Sequence, residues 1–337
     1  MGFLSSDVQV IAEVGVNHNG NLGLAKKLIE SAALAGANWV KFQSFVVEEL
    51  VVSNLRSAPY QYASDQEFSQ FQMLQKYELS FDQQRELYSY ARQCGIGFLS
   101  SPFDLCSLKF LYSLGVKVFK IASGELTNVP LLRAIGGLAE TVILSTGMSY
   151  LREIDFAVKT LKDSGLQLSR LVILHCVSQY PTPEDAINLR TLDVLRERYR
   201  VPVGFSDHSL GSIGSVAAVA RGAMVIEKHI TLDRSMVGPD HQASLEVKEL
   251  KNLVKDIRRV EKLLGTSDKT ITEEERVNKR FARKIIVAKT TITEGDVFSF
   301  NNLTTKRAGE GLGAELWDSV MGTKAIKDFS VDEPIVF

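Results

Sequence analysis

The chain has 337 residues, 45% of them hydrophobic and 23% charged, with a formal net charge of −1 at pH 7. This is the composition of an ordinary globular protein, long enough for one large domain and a small one. Its charge balance excludes bulk electrostatic attraction to nucleic acid or an anionic membrane.

The predicted elements alternate along the chain. VQVIAEVG (8–15) reads as a strand, and NLGLAKKLIESAALAGAN then places Ala25, Leu28, Ile29, Ala32 and Ala33 at helical spacing, with Gly36 as the stop. Strands follow at NWVKFQS (38–44), IGFLSSPF (96–103), VKVFKIASG (116–124) and TVILSTG (141–147), and LREIDFAVKTLKDSG is helical. RLVILHC (170–176), VPVGFSD (201–207) and AMVIEKHI (223–230) complete eight strands, with LGSIGSVAAVARGA helical between the last two. The strands are near-continuously apolar, as parallel strands covered on both faces are. Eight β-then-α units in roughly 250 residues predict an α/β fold of the (β/α)₈ TIM-barrel type. An open doubly wound sheet would want a glycine-rich fingerprint after its first strand, where this chain reads EVGVNHNGN.

The barrel is thus expected over 1–265, a polar linker over 266–279 (TSDKTITEEERVNK), and a small, mostly β domain over 280–337. That domain has β-rich segments at KIIVAK, VFSF and LTTKR. Cys94, Cys106 and Cys176 are odd in number and lack metal-type spacing, which points to a reducing, cytoplasmic setting. No secretory signal is expected from MGFLSSDVQVIAEVG, and no run of about 18 apolar residues predicts a membrane span. MGFLSS fits the loose N-myristoylation pattern formally.

A barrel of this type holds its site at the C-terminal strand ends, and each predicted strand ends in polar residues. Glu13, with Asn17 and His18 beyond it, closes the first; Lys41 and Gln43 stand on the second; Ser100 and Ser101 end the third. Lys120, Ser123 and Glu125 belong to the fourth, Ser145 and Thr146 to the fifth, and His175, Ser178 and Tyr180 to the sixth. Ser206, Asp207 and His208 end the seventh, and Glu227, Lys228 and His229 the eighth. Two lysines among hydroxyls make an anion site suited to phosphate. His208 and His229, on adjacent strands, suit a divalent Lewis-acid metal, and Glu13 and Glu125 suit proton transfer. The bland readings are outward or structurally paired lysines, a core His175, a packing Cys176, and an Asp207 that only orients His208. Lys228 alternates with Glu227 and His229 and is expected to point away from them. AGEGLG (308–313) is glycine-rich but follows no strand-to-helix pattern.

The stretches IAEVGVNHNG, VKFQSF, SSPFD, KIASGE, LSTGMS, HCVSQYPTP, GFSDHSLG, IEKHITLD and GPDHQASLE together resemble the sialic acid synthase family. The tail, with TTKRAGEGLG, resembles that family's antifreeze-like (SAF) domain. The resemblance implies condensation of phosphoenolpyruvate with an N-acylated amino sugar in a domain-swapped homodimer, without nucleic-acid or membrane partners. It assigns phosphoenolpyruvate to Lys41, Ser101, Lys120, Ser123, Ser145, Ser178 and Ser206, and a manganese-type ion (magnesium or cobalt being substitutes) to His208 and His229. It assigns proton handling to Glu13, the neighbourhood of a metal-bound water to Glu125, sugar contacts to Tyr180 and Asp240, and an arginine reaching the partner's site to Arg307. The expected product is N-acetylneuraminate from N-acetylmannosamine. Legionaminic acid from the 2,4-diacetamido-6-deoxy relative is the alternative, which the Val177–Ser178 pair resembles more closely. KIASGE and GPDH disfavour the pseudaminic branch, and KRAGEG departs from the family's KRPGNG at Ala308 and Glu310. The competing readings are a Schiff-base aldolase using Lys120 or Lys41, and an ice- or carbohydrate-binding tail.

Overall fold

In a computed structural model, residues 3, 6–53 and 69–336 are described. Gly2, on which the myristoylation pattern depends, lies outside them. The chain divides into two units, one ending at Gly265 and the other beginning at Thr266.

The first unit contains eight parallel strands: β1 (Gln9–Gly15), β2 (Trp39–Ser44), β3 (Gly97–Pro102), β4 (Val118–Ile121), β5 (Thr141–Ser145), β6 (Leu171–Cys176), β7 (Val203–Asp207) and β8 (Val225–Thr231). They hydrogen-bond in the order β3-β2-β1-β8-β7-β6-β5-β4, and the two ends of that row, β3 and β4, come into contact. This is the predicted TIM barrel. Every residue of β1, β5, β6, β7 and β8 is buried, so each strand is covered on both faces and its apolar run needs no polar side.

The helices between strands are set by local chemistry. Asn21 accepts a hydrogen bond from the Leu24 N–H at the start of helix Leu22–Ala35, and Gly36, at φ +84°, supplies the left-handed stop. Ser80 and Gln83 form a reciprocal capping box at the start of Phe81–Gln93.

Alternation along the strands builds two cores. Val10, Ala12, Val14, Val40 and Phe42 face the helices in the main apolar cluster. Phe3, Ile11, Leu99, Ile143, Val172, Leu174 and Val225 fill the barrel interior, with Trp39 and Val118 against them. Because side chains alternate with period two, the next interior level reads Glu13, Lys41, Ser101, Lys120, Ser145, Cys176, Ser206 and Glu227, and all of these line one cavity. The apolar plug below and the polar level above are thus dictated by the same alternation.

Lys228 points away from that interior, as the alternation predicts. It is fully buried and lies 3.1 Å from Asp207 Oδ2. Asp207 also accepts hydrogen bonds from the Ser209 N–H (2.9 Å), the Ser209 hydroxyl (2.6 Å) and the Ser215 hydroxyl (2.6 Å), while Lys228 Nζ donates to the Ser209 carbonyl. Asp207 therefore serves Lys228 and its own loop. The expectation that it orients His208 is corrected, because His208 Nδ1 bonds the Val177 carbonyl instead.

The second unit has its own core of Ile286, Ala288, Ile292, Phe298, Leu303, Val320, Ala325, Phe329 and Ile335. Ile285–Ala288 pairs antiparallel with Leu303–Lys306. VFSF is not a strand; Val297 makes a single bridge to Lys324 while Phe298 turns into the core. Part of the stretch read as linker is helical, Glu273–Ala282, begun by a Thr272–Glu275 capping box. Its first turn is acidic (Glu273, Glu274, Glu275) and its last basic (Lys279, Arg280), which suits the helix dipole.

Removing either member of the Lys228–Asp207 pair strands the other as a buried charge. K228A or D207A is expected to destabilise the barrel by about 3–5 kcal/mol, whereas K228M/D207L, which removes both charges, costs less than the two singles combined. Urea unfolding checks this, and single variants within about 1 kcal/mol of wild type would refute it.

Candidate active site

The polar level opens into a cavity of about 270 Å³ at the C-terminal ends of the strands. The ladder explains why the charges meet. In register, Glu13 of β1 lies beside Lys41 of β2 on one side and His229 of β8 on the other. Lys41 Nζ is 2.8 Å from Glu13 Oε2 and 3.6 Å from Glu227 Oε2, and Lys120 Nζ is 3.2 Å from Glu227 Oε1. All four side chains are buried, so the lysines neither point outward nor reach solvent.

Hydroxyls surround this group. Lys41 Nζ donates to Ser101 Oγ at 3.3 Å, and Ser206 Oγ donates to Glu227 Oε1 at 2.9 Å. Ser123 Oγ accepts the Gly147 N–H at 3.0 Å. A side chain at Gly147 would collide with Ser178 Oγ and Ser123 Oγ (2.3 and 2.9 Å from an added Cβ), so only glycine lets the loop after β5 approach these hydroxyls. Ser145 Oγ is buried with no hydrogen-bond partner. It is a donor available to a ligand.

The two imidazoles are neighbours, with ring centroids 5.6 Å apart. His208 lies 2.8 Å from the Val177 carbonyl through Nδ1, which leaves Nε2 facing the Tyr180 hydroxyl at 3.2 Å and Ser206 Oγ at 3.3 Å. Tyr180 stacks on His208 at 4.1 Å between centroids. His229 Nδ1 is buried without a hydrogen bond, 3.8 Å from Asp240 Oδ2. Burial, reinforced by positive charge at His208 and Lys41, pushes His229 well below its ordinary value, so it is a neutral imidazole with a free lone pair. Among the described residues no group of three or more His, Cys, Asp or Glu side chains is arranged as a metal site. The donor set is a pair of imidazoles.

The carboxylates are driven apart. Burial raises Glu13 to about 7, with Glu227 adding to the rise and Lys41 opposing it. Burial also acts to raise Glu227, but Lys120, Lys41 and the Ser206 hydroxyl outweigh it and hold that group down at about 2. Burial acts to lower Lys41, yet Glu13 and Glu227 leave it raised, while Lys120, similarly buried, ends lowered. Two carboxyls on one floor with opposite shifts is the pattern of an acid–base site.

The other expected residues fall as follows. Asp240 stands behind His229, raised to about 6 mainly by burial. Glu125 sits in the turn Ser123–Glu125, does not line the cavity, and accepts a hydrogen bond from Asn128 at 2.6 Å; burial raises it. Arg307 is exposed in the second unit, after strand Leu303–Lys306. His175 bonds the Ile187 carbonyl and stacks on Phe205, a satisfied core histidine. Cys176 is more than packing: it lines the cavity, with Sγ 3.8 Å from His208 Nδ1. Glu227 and Gln43 also line the cavity and were left out of the expected site. Their signal was present, since each lies two residues from an assigned position on the same strand.

The chain as a whole is similar to several known proteins. The model described as the NeuB family matches residues 28–269. The N,N'-diacetyllegionaminic acid synthase of Campylobacter jejuni is 47% identical over 329 residues, covering 97% of this chain and 98% of that protein. The protein of the same name from Legionella pneumophila is 40% identical, covering 97% and 93%. The crystal structure of an N-acetylneuraminic acid synthetase from Leptospira borgpetersenii superposes with a TM-score of 0.72 at 35% identity, covering 84% of this chain and 95% of that one.

Glu13 gives the cavity a measurable pH signature. Its value of about 7 exceeds the unfolded 4.5, so its contribution to stability is complete below pH 4.5 and is lost as pH rises through 7. E13Q carries no titrating proton, so the stability of wild type relative to E13Q is expected to fall by about 3 kcal/mol between pH 4.5 and 7.5. Denaturant titrations of both proteins across that range test it; a constant difference refutes the shift.

Proposed function

This chain belongs to the NeuB family, and from that premise we propose that it condenses phosphoenolpyruvate with 2,4-diacetamido-2,4,6-trideoxymannose and water, releasing N,N'-diacetyllegionaminic acid and phosphate. The observation that carries the reading is the joined floor of Lys41, Lys120 and surrounding serines beside a pair of imidazoles in one cavity. Lysines and hydroxyls supply charged and neutral donors for a phosphate and a carboxylate on one small molecule. The names of the two legionaminic relatives support the diacetamido sugar over N-acetylmannosamine, the substrate favoured by the motifs alone. The second reading keeps a basis in the 35% identity to the neuraminic synthetase.

In this mechanism Lys41 and Lys120 hold the anionic groups of phosphoenolpyruvate, with Ser101, Ser123, Ser145, Ser178 and Ser206 completing its donors. Its alkene carbon attacks the aldehyde carbon of the open-chain sugar and forms the new carbon–carbon bond. The positive centre left on the enol carbon takes up water, and the carbon–oxygen bond to phosphate then breaks. Glu13, poised near neutrality, accepts the proton of that water and returns one to the developing alkoxide. Tyr180, which lines the cavity, contacts the sugar; the family resemblance alone assigns Asp240 to the sugar and Glu125 to the incoming water. The pair His208 and His229 fits a divalent ion with only two protein ligands, since His229 is neutral with a buried free nitrogen and His208, on giving up its proton to an incoming ion, would present Nε2 to the cavity. When bound, such an ion, manganese by preference, would polarise the sugar carbonyl. The same reading assigns Arg307 to the sugar side of a partner subunit's cavity in a homodimer.

The test is phosphate release from phosphoenolpyruvate with manganese and each sugar. Turnover of the diacetamido sugar exceeding that of N-acetylmannosamine is expected; the reverse order selects the neuraminate reading, and release with neither ends the proposal. E13Q is expected to lower kcat by about 10²–10⁴-fold. Lys120, whose ammonium is depressed by burial, is the one feature suited to an imine-forming aldolase. Borohydride treatment with pyruvate is expected to leave no adduct.

A further inference from the structure

Glu227 stands at the centre of the cavity floor and has no role in the steps above. Its two carboxylate oxygens face different partners: Oε1 lies 3.2 Å from Lys120 Nζ and Oε2 lies 3.6 Å from Lys41 Nζ. Oε1 also accepts the Ser206 hydroxyl at 2.9 Å, whereas Oε2 has no hydrogen bond. The two lysines reach this point from β2 and β4, and neither is joined to the other directly. Of the two lysines, Glu13 pairs with Lys41, and its other oxygen accepts from Gln43 Nε2 at 3.5 Å.

We propose that Glu227 is a positioning residue that sets the separation of Lys41 and Lys120, matching the floor to a substrate with two anionic groups on one carbon rather than to a single anion. This rests on the assignment of phosphoenolpyruvate to the cavity. The physical reason is span. A flexible four-carbon stem fixes neither ammonium by itself; Glu13 and Ser101 hold that of Lys41, and one carboxylate facing both lysines sets the distance from it to that of Lys120 before substrate arrives. Ser206 extends the tie, since its Oγ also lies 3.3 Å from His208 Nε2. Strand alternation puts Glu227 and His229 on the same face of β8, so one strand fixes the lysine pair and one imidazole together.

The experiment measures dissociation constants of phosphoenolpyruvate and of inorganic phosphate by calorimetry for wild type, E227Q and E227D. Thermal unfolding of each variant reports folding. E227Q is expected to weaken phosphoenolpyruvate by about 10–100-fold, the usual scale for loss of a supporting residue, with phosphate altered by less than about 3-fold. E227D keeps the charge but loses the span, and is expected to bind phosphoenolpyruvate as weakly as E227Q. Full recovery in E227D, an equal loss for both anions, or tighter binding of both would overturn the proposal, since each marks simple charge compensation. Unchanged phosphoenolpyruvate affinity in E227Q would overturn it as well. A wild-type protein that binds no phosphoenolpyruvate would instead remove the functional reading and this inference with it.

Discussion

Sideways register in the parallel ladder is the constraint on which the rest of the structure depends. A parallel barrel sets side chains of neighbouring strands at one level, so Glu13 on β1 has Lys41 and His229 as its flanking partners. Ser206 and Glu227 are matched in the same way across β7 and β8. Each of these groups would be costly to bury alone. Delivered together by the ladder, they neutralise one another on a floor closed from below by Ile11, Leu99, Ile143 and Val225. The apolar plug strengthens each interaction above it by excluding water and lowering the local dielectric.

The electrostatics of that floor follow from unequal sharing. Glu227 faces two ammonium groups and stays ionised, while Glu13 faces one and is raised toward neutrality. The same strand level therefore holds a permanent anion and a proton-exchanging one. Buried ion groups of this kind contribute little net stability against an apolar replacement of the same shape. Their presence on the floor is better explained by chemistry than by folding.

Much of this was legible in the residues. The eight strands were found near their observed bounds because each is a near-continuous apolar run, and the helix Leu22–Ala35 because Gly36 marks its end. His208 and His229 could be placed together once the strand count implied a barrel. The rest needed three dimensions. Glu227 was visible as a charge in an apolar strand, but only Lys41 and Lys120, reaching it across the barrel interior from β2 and β4, show what it does. The partner of Asp207 was misjudged because His208 is its neighbour in sequence, whereas Lys228 lies beside it in the ladder. VFSF looks like a strand by composition, yet Phe298 is spent on the small core of the second unit and the backbone around it turns.

The outward burial of Lys228 has a consequence for how the barrel closes. On β8 the residues Glu227, Lys228 and His229 serve opposite faces, the outer one matched to Asp207 and the inner two to the cavity. Were β8 to pair one position out of step, every side chain would change face. A third ammonium would join Lys41 and Lys120, and a carboxylate would be thrust among the aliphatic side chains under the helices. Mispaired closure is thereby made electrostatically repulsive, and the arrangement that equips the cavity also proofreads the assembly of the strand that completes it.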